Sequence, residues 1–186
     1  MPASAHADGP AQVRRIKVIS MGDGGVGKSC LIKRYCEGKF VPRYITTIGI
    51  DFGVKPVQVG GVPTRVNFWD LAGGNEYYDI RNEFYRDAQG AVLVYDVHER
   101  ATFDSLARWM EESARHGVRD LVLAVCANKA DGQGRAVGEE EGRRWAAEHG
   151  AAFFAEVSAK EGTGVMSLFE RLFAAVAERF YGKENG

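Results

Sequence analysis

Gly22-Asp23-Gly24-Gly25-Val26-Gly27-Lys28-Ser29 constrains this chain more than any other stretch. It has the spacing G-x-x-x-x-G-K-[ST], a loop whose backbone N–H groups wrap the phosphates of a nucleotide. Asp23, Gly24 and Gly25 let the backbone curl and approach an anion closely. Ile16-Lys17-Val18-Ile19-Ser20-Met21 ahead of it reads as a short apolar strand, and Lys28 to Glu37 behind it as a helix ending near Gly38. A helix starting there aims its free N–H groups and the positive end of its dipole at the phosphates. Lys28 supplies a full positive charge to the β/γ-phosphates, and the Ser29 hydroxyl is placed to ligate magnesium. The same eight residues also occur as a mere glycine-rich turn with a surface lysine, so the rest of the chain has to decide.

Strand and helix alternate through most of that remainder, which predicts an α/β fold with a mainly parallel sheet. Lys39 to Gly49 is a long loop containing Pro42, Thr46 and Thr47, and connections of that length inside a compact domain are usually functional. Asp51 to Val59 places Phe52 and Val54 in one phase and Val57 and Val59 in the other, with Pro56 at the break, so an edge strand is expected. Gly60-Gly61 then signals a tight hairpin into Val62 to Leu71, which makes one strand pair antiparallel. Ala72 to Arg86 is mixed, with a short helix expected near Asn82-Glu83-Phe84-Tyr85. Gly90 to Val97 and Leu121 to Ala127 are continuous apolar runs, the pattern of parallel strands buried on both faces. Helices are predicted over Thr102 to His116, over Glu139 to Gly150 with Trp145 inward, and from Val165 through Phe180, with a last strand at Ala152 to Val157. The aromatic residues on these helices read as core.

The 186 residues suggest one domain, expected over 14–181 between a disordered polar tail at 1–13 and a short tail at 182–186. A formal net charge of −1 gives no reason to expect nucleic acid as partner. Cys30, Cys36 and Cys126 lack metal spacing and read as reduced thiols of a cytosolic protein, and the scattered His6, His98, His116 and His149 give zinc no support. No apolar run approaches the ~20 residues that cross a bilayer. The first residues lack the features of a signal peptide, and the last ones offer no cysteine to prenylate and no polybasic cluster. The expectation is a cytoplasmic or nuclear monomer with no direct lipid anchor of its own; a truncated chain would read the same way.

Further motifs fall at predicted C-terminal strand ends, where open α/β sheets bind ligands. Asp70-Leu71-Ala72-Gly73 pairs a carboxylate able to hold magnesium with a glycine able to offer its N–H to a γ-phosphate. Asn128-Lys129-Ala130-Asp131 follows the strand Leu121–Ala127, and Ser158-Ala159-Lys160 follows Ala152–Val157. Each is weak alone, but together and in order they resemble the small Ras-like GTPases over Arg15 to Phe180. The resemblance implies the P-loop NTPase fold: a six-stranded, mostly parallel sheet with one antiparallel edge strand and helices on both faces. It also implies GTP or GDP with Mg²⁺ as ligands. Asp131 then selects guanine, whose N1–H and amino group one carboxylate accepts together, whereas adenine presents an acceptor there and is rejected. Asn128 braces the site, Lys129 lies over the base and the Ala159 N–H bonds the guanine carbonyl, with Ser158 and Lys160 beside it. Phe40 packs on the base edge and Tyr44 joins the contacts. The Thr47 hydroxyl meets magnesium alongside Ser29 and Asp70, and Asp23, Gly24, Gly25, Val26, Gly27 and Cys30 complete the phosphate cradle. Lys28, Thr47 and Gly73 are the residues expected to act on the γ-phosphate.

Thr47-Ile48-Gly49-Ile50-Asp51-Phe52 and Leu93-Val94-Tyr95-Asp96-Val97 resemble Rabs. The segments Ser29–Cys36, Arg81–Tyr85 and Cys126–Lys129 are most similar to the RJL family, Rab-like proteins some of which carry a J domain. No J-domain His-Pro-Asp triplet occurs here, so either this member lacks that domain or the chain is its GTPase part. Rabs usually read W-D-x-A-G-Q where this chain reads Trp69-Asp70-Leu71-Ala72-Gly73-Gly74. The missing glutamine normally orients the attacking water, so its loss slows hydrolysis rather than binding, unless Asn75 or Glu76 reaches the water instead. Two functions share this fold: a slow GTPase switch turned off by a partner, and a scaffold that stays GTP-bound. Effectors are expected on the two switch loops, Phe40–Gly49 and Gly73–Arg86, with activating and exchange factors as further partners. An ATP-using P-loop kinase is the remaining class, and its mark would be a preference for ATP.

Overall fold

Two strands, β4 (Gly90–Asp96) and β5 (Val122–Asn128), are buried at every position, as their uninterrupted apolar sequences require. They sit inside a six-stranded sheet with the order β2-β3-β1-β4-β5-β6. The computed structural model describes residues 13–182, so the tails expected at 1–13 and 182–186 fall almost wholly outside the described residues. The other strands are β1 (Arg14–Met21), β2 (Ile50–Val59), β3 (Val62–Leu71) and β6 (Phe153–Glu156). All neighbours pair in parallel except β2 with β3, the antiparallel hairpin at the edge.

Alternation along the strands divides the core in two. Val92 and Val94 of β4 face one cluster, with Tyr35 of α1 (Lys28–Glu37) and Leu168, Phe169, Leu172 and Phe173 of α6 (Val165–Tyr181). Ala91, Leu93 and Tyr95 face the other, with Phe103, Leu106, Trp109 and Ala146 from α3 (Arg100–Asp104), α4 (Leu106–Arg115) and α5 (Glu139–Glu148). Helices therefore cover both faces, as the resemblance implied. The apolar stripe of α6 is buried from Val165 to Val176, and Phe180 is half-buried at its end.

β2 is the outermost strand, the edge position expected from Pro56, and its pairing runs unbroken from Ile50 opposite Leu71 to Val59 opposite Val62. Several other local expectations are corrected. The helix expected over Thr102 to His116 is two helices. The Ser105 hydroxyl between them donates at 2.8 Å to Ala101 O, which also accepts Ser105's own N–H at 3.1 Å, back-bonding of the kind that bends helices. The short helix expected near Asn82–Tyr85 lies earlier, as a 3₁₀ turn at Asn75–Tyr77 and α2 at Tyr78–Asn82, because packing draws Arg81 inward while Tyr85 follows in a buried turn. Trp145 is only half-buried and stacks on His149 at 3.8 Å. On the outer face of the hairpin Phe52 lies 4.4 Å from Trp69, and Trp69 lies 5.0 Å from Phe84.

Phe169 ties this architecture together, with ring centroids 4.8 Å from Tyr35 and 5.7 Å from Phe68. Truncating a buried phenylalanine removes apolar burial and leaves a cavity, so Phe169→Ala should cost about 3–5 kcal/mol. Chemical denaturation at fixed nucleotide excess measures it. A loss under about 1 kcal/mol would show that the cluster does not bind helix to sheet.

Candidate functional site

The loops leaving β1, β3, β5 and β6 meet at the C-terminal edge of the sheet around a cavity of about 480 Å³, within the range of small-molecule sites. Its floor is the phosphate loop. Gly27 has φ 98° and passes so close to the Asn128 side chain that a Cβ would overlap the amide nitrogen, so only glycine fits. Lys28 is 7% exposed, and its Nζ donates to Gly22 O at 2.7 Å and Asp23 O at 2.9 Å. Burial pulls its pKa down to about 8, against the opposing influence of Asp70 and Asp23.

Beside Lys28 three oxygen-bearing side chains converge from three segments. Ser29 Oγ donates to Asp70 Oδ2 and lies 2.7 Å from Thr47 Oγ1, while Ser20 Oγ donates to Asp70 Oδ1 at 2.7 Å. Burial pushes the Asp70 carboxyl up, and the serine hydrogen bonds oppose that shift. The donors are hydroxyl and carboxylate only, the hard-oxygen chemistry that suits Mg²⁺. Among the described residues no group of three or more His, Cys, Asp or Glu side chains forms an alternative metal site.

At the other end Asn128, 1% exposed, is the bracket between loops. Its Nδ2 donates to Val26 O at 2.8 Å, and its Oδ1 accepts the Ala159 N–H at 3.2 Å. That N–H, expected to face a base carbonyl, is donated to Asn128. Ser158 is buried and donates from Oγ to Asp131 Oδ1 at 2.7 Å, a bond that holds the Asp131 carboxyl below its ordinary pKa and keeps it an anionic acceptor. Lys129 adopts φ 66° and reaches back along the cavity wall, its Nζ 2.8 Å from Gly25 O and 2.7 Å from Asp96 Oδ2. His98 Nε2 lies 3.0 Å from Lys129 O. Arg34 fixes the last loop to α1, donating to Ala159 O at 2.8 Å and to Lys160 O.

Most of the residues singled out from sequence line the cavity: Gly24, Gly25, Gly27, Lys28, Ser29, Cys30, Phe40, Tyr44, Thr47, Gly73, Asn128, Lys129, Asp131, Ala159 and Lys160. Asp70, Val26 and Ser158 stand behind this wall as buried supports. Asp23 differs more: its carboxylate turns away to accept the Trp109 indole N–H at 2.8 Å and Arg108 Nη2 at 3.0 Å. Phe40–Gly49 crosses the mouth without helix or strand, with Tyr44 65% exposed and Ile48 80% exposed. Of the two tyrosines beside Gly74, Tyr77 is half-buried, and Tyr78 is pinned by a 3.0 Å hydrogen bond between its hydroxyl and His116 Nε2. Sequence reasoning missed Arg34, Arg81, Trp109 and Glu112, for charged or aromatic helix positions carry no local signal of such contacts.

Gly73 packs directly on the phosphate loop, where a Cβ would overlap Gly24 N. Gly74 has ordinary extended dihedrals (φ −72°, ψ 146°), and the nearest atoms a Cβ there would meet are the end of the flexible Glu76 side chain, at 2.5–2.6 Å. Its missing side chain is therefore not demanded by the backbone.

Comparison with known proteins agrees with this geometry. The Ras family model matches residues 17–178. DnaJ homolog subfamily C member 27 of Gallus gallus is 49% identical over 170 residues, covering 88% of this chain and 62% of that protein. The proteins of the same name from Bos taurus (47% over 175 residues, covering 91% and 64%) and Danio rerio (46% over 178 residues, covering 92% and 64%) are also similar. The chain thus spans 62–64% of the length of these curated relatives. With nearly the whole described fold matched and the loops meeting at one cavity, the chain belongs to the Ras family.

Proposed function

We propose that this chain is a guanine-nucleotide switch of the Rab-like, RJL type that binds GTP or GDP with Mg²⁺ and hydrolyses GTP slowly. The observation that carries this reading is one cavity joining a buried lysine and the Ser29 and Thr47 hydroxyls, backed by Asp70, at one end to an anionic Asp131 at the other. Phosphates supply the anions that the Lys28 ammonium lacks, and the α1 N-terminus adds its dipole. Ser29, Thr47 and Asp70 are the residues that would hold Mg²⁺, which when bound offsets the charge of the β- and γ-phosphates. Asp131 accepts both guanine donors, with Ser158 keeping it ionised and in place. The relatives' name, DnaJ homolog, fits the RJL reading.

Thr47 and Gly73 reach toward the γ-phosphate end, so its loss frees Phe40–Gly49 and Gly73–Arg86. Effectors would read these loops, and the exposed Ile45, Ile48, Phe52 and Ile80 around them supply apolar contact area. Exchange and activating factors would act at the same face of a monomer working in the cytoplasm or nucleus. Among the described residues no helix is long and apolar enough to cross a membrane. Gly74 favours a second reading, a scaffold that stays GTP-bound; nucleotide recovered from protein purified from cells is then mostly GTP, whereas a switch carries mostly GDP.

Without a side chain at 74 to orient water, the single-turnover rate should be at or below about 4 × 10⁻⁴ per second. Gly74→Gln, which the backbone accepts, should raise it about tenfold. Loss of GTP within a few minutes in the unsubstituted protein refutes the slow-switch reading.

Asp131→Asn places an amide donor against guanine's own donors. Calorimetry should show guanine-nucleotide affinity falling about a hundredfold or more, with xanthine nucleotide gaining because its extra carbonyl accepts that donor. Equal guanine affinity in the variant would remove Asp131 from the site.

Phosphate binding raises the Lys28 pKa above its free value of about 8. Affinity is then full below about pH 8 and falls as pH rises through it, by about tenfold per pH unit. Titrations from pH 7 to 9.5 in buffers of different ionisation heat should show both the fall and proton uptake. A flat profile would mean that Lys28 is not the group paired with phosphate.

A further inference from the structure

The Arg81 guanidinium, 2% exposed, is fully engaged. Its Nη1 donates to Ala72 O at 3.2 Å and to Gly74 O at 2.6 Å, gripping the turn on both sides of Gly73. Its Nε and Nη2 meet Glu112 Oε1 at 2.5 Å and Oε2 at 2.8 Å in a two-point clamp, and the buried Tyr85 hydroxyl donates to Glu112 Oε1 at 2.6 Å. The guanidinium lies 4.4 Å over the Trp109 ring, whose indole N–H holds Asp23 of the phosphate loop. Helix α4 thus grips the phosphate loop through Trp109 and the Gly73 turn through Glu112.

A buried ion pair is a poor source of stability, because desolvation offsets the attraction and apolar residues of similar volume serve as well. What this pair adds is orientation. A trans peptide is planar, so fixing Ala72 O also fixes the N–H of Gly73 on the opposite side, away from Arg81. Gly73 itself borders the cavity against the phosphate loop.

We propose that Arg81 is a positioning residue for the triphosphate: clamped by Glu112, it aims the Gly73 N–H at a γ-phosphate oxygen and so sets the preference for tri- over diphosphate. This rests on the guanine-nucleotide reading above. A preorganised donor to a charged oxygen contributes at least tenfold in affinity, whereas GDP has no oxygen there to lose. Tyr85 acts one step back, restraining the carboxylate that restrains Arg81.

The test measures dissociation constants of GDP and a non-hydrolysable GTP analogue, each with Mg²⁺, for the unsubstituted protein, Arg81→Lys and Glu112→Gln. The expected result is a triphosphate-to-diphosphate affinity ratio about tenfold lower in both variants, with GDP affinity within about threefold of the unsubstituted protein. Phosphorus NMR of the bound analogue should show the γ resonance displaced and the α resonance unmoved. If Arg81→Lys does not fold, Glu112→Gln, nearly identical in shape, decides alone. Equal loss for both nucleotides, or an unchanged ratio, overturns the proposal and leaves the guanine-nucleotide reading standing. Failure of the unsubstituted protein to bind either nucleotide overturns both.

Discussion

A lysine ammonium held almost out of water with two carbonyls of its own loop for company is the constraint on which this molecule turns. Burial of an unpaired charge is costly, and neutral carbonyls offset only part of it. The carboxylates that could help are committed elsewhere: Asp70 to two serines, Asp23 to α4. The sheet thus presents a built-in demand for anions at one point, and the adjacent oxygen trio and helix terminus follow from the same demand.

Around that point the loops are not independent. Asn128 fastens the phosphate loop to the Ala159 loop, Arg34 fastens the latter to α1, and Arg81 fastens the Gly73 turn to α4. The Ala72 N–H closes the circuit by donating to Gly49 O at 2.9 Å, joining the end of one long loop to the start of the other. Single polar side chains are the fasteners because these loops lack the apolar bulk that secures helix to sheet. The rigid core sets where the loops start, and a handful of hydrogen bonds sets where they go.

This division explains what could be read in advance. The runs at β4 and β5, the α6 stripe and the Gly60-Gly61 hairpin announced themselves because each is a local pattern whose period matches its element. The cavity-lining motifs were legible because each is a short contiguous spacing at a strand end, where the fold gathers its loops. The Arg81–Glu112 pair was not, for its partners lie 31 positions apart and charged residues ordinarily face water. The misplaced short helix at Asn82–Tyr85 has the same origin, since apolar Phe84 and Tyr85 outweighed an arginine whose burial only the folded state reveals. The junction of α3 and α4 at Ser105, where a hydroxyl bonds back to Ala101 O, is a feature the apolar spacing of Phe103, Leu106 and Trp109 could not register.

The aromatic layer of Phe52, Trp69 and Phe84 has a practical consequence. Trp69 directly precedes Asp70, and its ring is sandwiched between the strand that follows the first long loop and the segment that follows α2. Any rearrangement of those segments changes the polarity around an indole already partly open to solvent. Trp69 thus lies at the seam between these two segments, and its emission, added to that of Trp109 and Trp145, would respond to any such change without an attached dye.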